Sequence, residues 1–83
     1  MTPYNHPNTI SYTDHTGKKI TGRLVDTAGD FATYYFPTGY DGERGNRSWH
    51  QITRRGEWLP DYSTQKRFYA LQTMRDLNKA ATR

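Results

Sequence analysis

The sequence predicts an α+β, β-rich fold: a small antiparallel meander or barrel of four to five strands, followed by one C-terminal α-helix. Short alternating or aromatic runs recur between residues 9 and 59, and turns containing Gly, Asp or Pro separate them. After Ser63 the apolar spacing changes from a period of two to a helical period. A chain of 83 residues has room for one domain.

Met1 to Asn8 holds two prolines, two asparagines and a histidine, and reads as a flexible N-terminal arm. Residues 9–83 then form a single small domain. Thr9-Ile10-Ser11-Tyr12-Thr13 alternates polar and apolar, as a half-buried strand does. Asp14-His15-Thr16-Gly17 is a turn. Lys18 to Val25 is the second strand, with Ile20, Gly22 and Leu24 on one face, and it pairs with the first as a hairpin. Gly22 reads as a bend in that strand. Asp26 to Asp30 is the next turn.

Phe31 to Phe36, Phe-Ala-Thr-Tyr-Tyr-Phe, is the strongest strand signal, because both of its faces carry aromatic or β-branched groups. Pro37 ends it, and Thr38 to Asn46 is a polar loop with glycines at 39, 42 and 45. Arg47 to Thr53 reads as a fourth strand and Arg54-Arg55-Gly56-Glu57 as a tight turn. Trp58-Leu59 forms a short closing strand before Pro60. Asp61 or Ser63 then caps a helix over about 63–81. Ala70, Met74, Leu77 and Ala81 fall on one narrow stripe of it, with Leu71 beside them and Phe68 further round.

Composition limits the core. Leu, Ile, Val and Phe make up 11 of the 83 residues, a share low enough to suggest disorder. The net charge of only +4 and the 14% aromatic content, with seven Tyr, three Phe and two Trp, argue for a folded domain with an aromatic core. With no cysteine there is neither a disulfide staple nor a thiolate metal site. The three histidines lack metal-ligand spacing, and no cofactor motif is present. A core this small is marginal, and a homodimer is one way to supply further buried surface. No apolar run is long enough to span a bilayer and no signal-peptide core opens the chain, so a cytoplasmic protein without a membrane partner is expected.

The charge is uneven. Residues 1–30 are neutral, residues 31–60 carry +1 and residues 61–83 carry +3. The most concentrated basic stretch is Arg44 to Arg55, with Arg44, Arg47, Arg54 and Arg55 around Trp49 and His50. Guanidinium groups beside aromatic rings suit a phosphate backbone with stackable bases. In that reading the four arginines hold phosphates while Trp49, Tyr40 or Tyr35 stacks a base, and Lys66, Arg67 and Arg75 extend the surface along the helix. The plain alternative makes Trp49 core and the arginines a solvated rim. The second face of the aromatic strand is likewise either an exposed stacking platform or the bed of the helix.

Architecturally, a hairpin, a Gly-containing strand, an aromatic strand, a loop and a Trp strand followed by a helix resemble SH3-like and Sm-like small barrels. Such barrels host many roles, so the likeness implies architecture and not function. The expected function is a non-enzymatic RNA- or DNA-binding module. The alternative is a small adaptor or inhibitor of phage or mobile-element type that docks on an acidic protein surface. A third reading is a ribonuclease-like toxin using His50 as acid or base.

Overall fold

The computed structural model describes residues 4–14, 16–37 and 48–82. The expected glycine-rich loop, with Tyr40 and Arg44, and the expected first residue of the fourth strand, Arg47, lie outside them. The elements are β1 (Thr9–Thr13), β2 (Lys19–Ala28), β3 (Phe31–Phe36), β4 (Trp49–Arg54), β5 (Glu57–Thr64) and α1 (Arg67–Ala81). The strands form one antiparallel meander in chain order. The sheet curls into a half-barrel, and its edge strands β1 and β5 are not hydrogen-bonded to each other.

The curl follows from the aromatic residues on the concave face. Ile20, Ala32, Tyr34, Phe36 and Trp49 are buried there, and Tyr12 from β1 and Trp58 from β5 pack against them. The Tyr12 and Trp58 rings lie 5.3 Å apart, so the two edges meet through side chains inside the curl. Phe36 stacks on Trp49 at 4.5 Å with an interplanar angle of 15°. Gly22 lies directly beneath this stack, where a Cβ would come within 2.6 Å of the Phe36 ring. Gly22 therefore makes room for an aromatic ring, a close approach that its lack of a side chain permits. The irregularity in β2 falls between Leu24 and Asp26.

That bulge changes which side chains face inward. Before it Leu24 points into the concave core; after it Ala28 faces the opposite side and packs beneath α1. Strand β2 thus runs three residues beyond the expected end at Val25 and serves both layers.

The opposite face of the sheet is the bed of α1. Phe31, Ile52 and Met74 are buried between the layers, with Leu59, Leu71 and Leu77 around them. The Thr33 hydroxyl donates to the Met74 sulfur at 3.3 Å. Ala70 and Met74 are the buried helix residues, as their stripe predicts, while Ala81 is exposed and Phe68 stands in solvent. Strand β3 is consequently buried on both faces apart from the half-buried Tyr35.

Strand β5 passes through Pro60 rather than ending before it. Between Gln51 and Thr53 of β4 the register shifts, and the additional residues of β5 bulge outward. Proline has no N–H to contribute to the ladder, so it fits at such an irregularity. Gln51, only 1% exposed, repairs the gap: its Nε2 donates to Leu59 O at 2.6 Å and to Ile52 O at 2.9 Å. A buried glutamine is stable here because both bonds satisfy carbonyls that the broken ladder would otherwise strand.

The β4–β5 turn has φ of 50° at Arg55 and 82° at Gly56, the twin positive values of a tight hairpin. Residues 4–8, expected as part of a flexible arm, lie against the body of the domain. Tyr34 Oη donates to Pro7 O at 2.6 Å, Leu24 N donates to Asn8 O at 2.8 Å and His6 Nε2 donates to Gly29 O at 2.9 Å.

Gly22→Ala tests the aromatic stack directly. The Phe36 ring has Trp49 behind it and cannot retreat, so overpacking should cost about 1–3 kcal/mol in urea unfolding. A change below about 0.5 kcal/mol, the size of an ordinary surface substitution, would show that the ring has room to move.

Candidate nucleic-acid interface

On the α1 side of the sheet one cross-strand row runs through all five strands: Thr9, Arg23, Tyr35, His50 and Thr64. Neighbouring strands lie about 4.8 Å apart, so Arg23 on β2 and Thr64 at the end of β5 are separated by roughly 14 Å. The chain then turns through Gln65 and Lys66 into α1, whose first residue is Arg67. The row therefore lies where α1 begins, with Arg23 at one side and Lys66 and Arg67 at the other.

The row is built by ring contacts. The Arg23 guanidinium lies 5.2 Å from the centre of the Tyr35 ring. Tyr35 in turn meets His50 at 5.1 Å. Beside Arg23 and Tyr35 is a cleft of about 190 Å³, also lined by Thr9, Thr21, Gly22 and Pro37. Arg23, Lys66 and Arg67 are exposed, and among the described residues none has a carboxylate at ion-pairing distance.

The start of α1 adds to this positive field. Its N-cap is Lys66, in extended conformation with φ −100° and ψ 123°, and no side chain caps the helix. The first turn holds no acidic residue. The free N–H groups and the helix dipole thus keep their partial positive charge. This corrects the expected helix start: Asp61 and Ser63 belong to β5 and cap nothing, because the bulge at Pro60 prolongs the strand to Thr64.

His50 lies beneath this turn and is 5% exposed. Burial pushes its pKa below the ordinary histidine range; hydrogen bonds to the Thr64 and Gln65 backbone oppose that shift, and the nearby Arg67 charge reinforces it. The neutral ring is consequently the stable form in the folded domain, and its Nδ1 is buried without a hydrogen-bond partner. A ring so covered gives a substrate no access, which counts against the toxin role suggested for His50 from sequence.

The other predicted cations lie apart from this row. Arg54 packs over Phe31 at 5.3 Å and stands opposite Glu57 in the ladder. Arg55 donates its backbone N–H to Asp30 O at 2.7 Å, and its guanidinium lies 3.9 Å from the Asp30 carboxylate and 5.5 Å from the Tyr4 ring centre. Phe31 and Tyr35 are four steps apart along β3, or about 13 Å. Arg54 and Arg55 thus form a second, partly neutralised group near the end of α1. Arg75 is exposed midway along the helix.

Trp49 leaves the site. It is 5% exposed and stacked in the concave core, so the stacking role suggested by its arginine neighbours is corrected. Arg44 and Arg47 lie outside the described residues. Sequence reasoning missed Arg23, although its alternation with Ile20, Gly22 and Leu24 puts it on the opposite face. It also placed Phe68 at the margin of the apolar sector, whereas Phe68 is 72% exposed and its neighbour Tyr69 54%. Position along the helix was the available signal: Phe68 points away from the Ala70–Met74 stripe.

Comparison with known proteins finds no matching family model, curated protein or solved structure. Among the described residues no helix is long and apolar enough to cross a membrane, and no group of three or more metal-ligating side chains gathers.

The burial of His50 makes stability pH-dependent. Above about pH 6.5 the ring is neutral in both states, and its burial carries no charge penalty. As pH falls through that value the unfolded chain takes a proton that the folded domain resists, so stability declines until the folded ring also titrates. Urea midpoints at pH 7 and pH 5 should differ less in His50→Gln than in the parent protein. An equal drop in both would assign the pH dependence to other groups.

Proposed function

We propose that this protein is a non-enzymatic nucleic-acid-binding module whose phosphate contacts centre on Arg23, Lys66 and Arg67, with Arg75 extending them along α1. One observation carries the reading: these cations flank a single cross-strand row, with no carboxylate paired to them among the described residues. Arg54 and Arg55, by contrast, have Glu57 and Asp30 beside them.

Polyanions are drawn to such a surface by charge and held by counterion release. The uncapped first turn of α1 supplies backbone N–H groups that can donate to a phosphate oxygen. Lysine and arginine hold the backbone without reading its sequence. Weak sequence preference and steep salt dependence follow.

The triple variant Arg23→Ala, Lys66→Ala, Arg67→Ala should lower the slope of log K against log salt by about 2, since each phosphate contact contributes about 0.7–0.9. Arg54→Ala with Arg55→Ala should lower it by less than about 1. Fluorescence anisotropy with labelled oligonucleotides over a salt series measures both. A larger effect at Arg54 and Arg55 would move the phosphate contacts to the other end of α1. No binding at low salt would defeat the reading and leave the surface as a docking face for an acidic protein.

A further inference from the structure

Tyr62, Phe68 and Tyr69 are the exposed large apolar side chains among the described residues, at 39%, 72% and 54%. Phe68 and Tyr69 fall in the first turn of α1, beside the cations Lys66 and Arg67, while Tyr62 on β5 lines clefts that run along the helix past Thr73 to Leu77 and Ala81. A lone exposed aromatic is ordinary; two adjoining rings, with two cations and no acidic residue in the first helical turn, form a composite surface.

The rings are arranged rather than scattered. Phe68 and Tyr69 meet edge to face, with centroids 5.7 Å apart and planes at 72°. The Lys66 ammonium lies over the Tyr69 ring, 5.7 Å from its centre. A cleft of about 100 Å³, lined in part by Ile52 and Ala70, also has Tyr62 and Tyr69 in its walls. Tyr69 is thus partly occupied by its neighbours, and Phe68 is the most open ring.

Resting on the nucleic-acid reading above, we infer that the ligand is single-stranded and that one of its bases stacks on Phe68. The adjoining phosphates meet Lys66 and Arg67. Base faces are free in a single strand and hidden in a duplex, so an open ring beside cations favours the single strand. Charge complementarity selects this occupant: an apolar protein partner would gain nothing from Lys66 and Arg67, whereas a nucleic acid uses rings and cations together. Tyr69 meets the Phe68 ring edge to face and leaves most of it exposed. Stacking on Phe68 is therefore chemically separate from the phosphate contacts and can be removed without them.

The test is anisotropy at low salt with a labelled mixed-sequence strand of about 12 nucleotides, within the usual site size, and with the corresponding duplex. The single strand should bind at least about tenfold more tightly than the duplex. Phe68→Leu keeps an apolar side chain but removes the π-face. It should weaken single-strand binding about tenfold and leave duplex binding unchanged, while Phe68→Trp should retain the parent affinity. Phe68 is too exposed for these substitutions to unfold the domain, which thermal melts of both variants would check. Duplex binding equal to or tighter than single-strand binding, or a Phe68→Leu effect under about twofold, would overturn the single-strand inference while the phosphate contacts stand. Failure of both ligands to bind at low salt would overturn the phosphate reading itself.

Discussion

Strand β3 presents aromatic or β-branched side chains on both faces, and this two-sided burial is the constraint from which the remaining structure follows. A strand buried on both sides needs two separate covers. On one side the sheet curls until Tyr12 and Trp58 close over Phe36 and Trp49. On the other side α1 places Ala70 and Met74 across Phe31, Thr33 and Ile52. Aromatic rings supply the area that a chain poor in aliphatic residues lacks, since each buries roughly 150–250 Å². The two layers share one strand, so disturbing either cover exposes rings that have no other place to go.

The same arrangement determines where charge can collect. Helix α1 covers the sheet face from Phe31 to His50, and along the His50 row the face opens at Tyr35 and Arg23. The turn that brings the chain from β5 to α1 must cross this boundary, and it carries Lys66 and Arg67 with it. His50 beneath the turn stays neutral because burial outweighs the hydrogen bonds that would favour its protonated form. A protonated ring there would place a buried positive charge near the exposed Arg67. The uncharged floor therefore leaves the positive field to exposed groups that a ligand can reach.

Much of the fold was legible because alternation and aromatic density are local properties. The limits of β1 and β3, the Arg55–Gly56 turn and the buried Ala70–Met74 stripe all follow from residues within a few positions of one another. The errors fall where a distant partner overrides a local signal. Pro60 looks like a strand end, yet Gln51 on the neighbouring strand satisfies the carbonyls of the bulge that accommodates it. Asp61 and Ser63 look like helix caps, yet that bulge keeps them in a strand. The ring for which Gly22 makes room, Phe36, lies 14 residues away along the chain, beyond the reach of any local signal.

For the candidate site the division is sharper. Composition by itself determined an aromatic, cysteine-free, basic domain whose charge lies toward its second half, because those quantities do not depend on which residues meet. Register decided the rest. Arg54 and Arg55 are neighbours of Trp49 along the chain, but the ladder places Glu57 and Asp30 beside them and sends Trp49 into the core. Arg23 is more than 40 residues from Lys66, yet strand pairing puts both at the margins of one row. Opposing charges interact by spatial distance and not by sequence separation, so only the folded sheet shows which of the described cations have a carboxylate beside them.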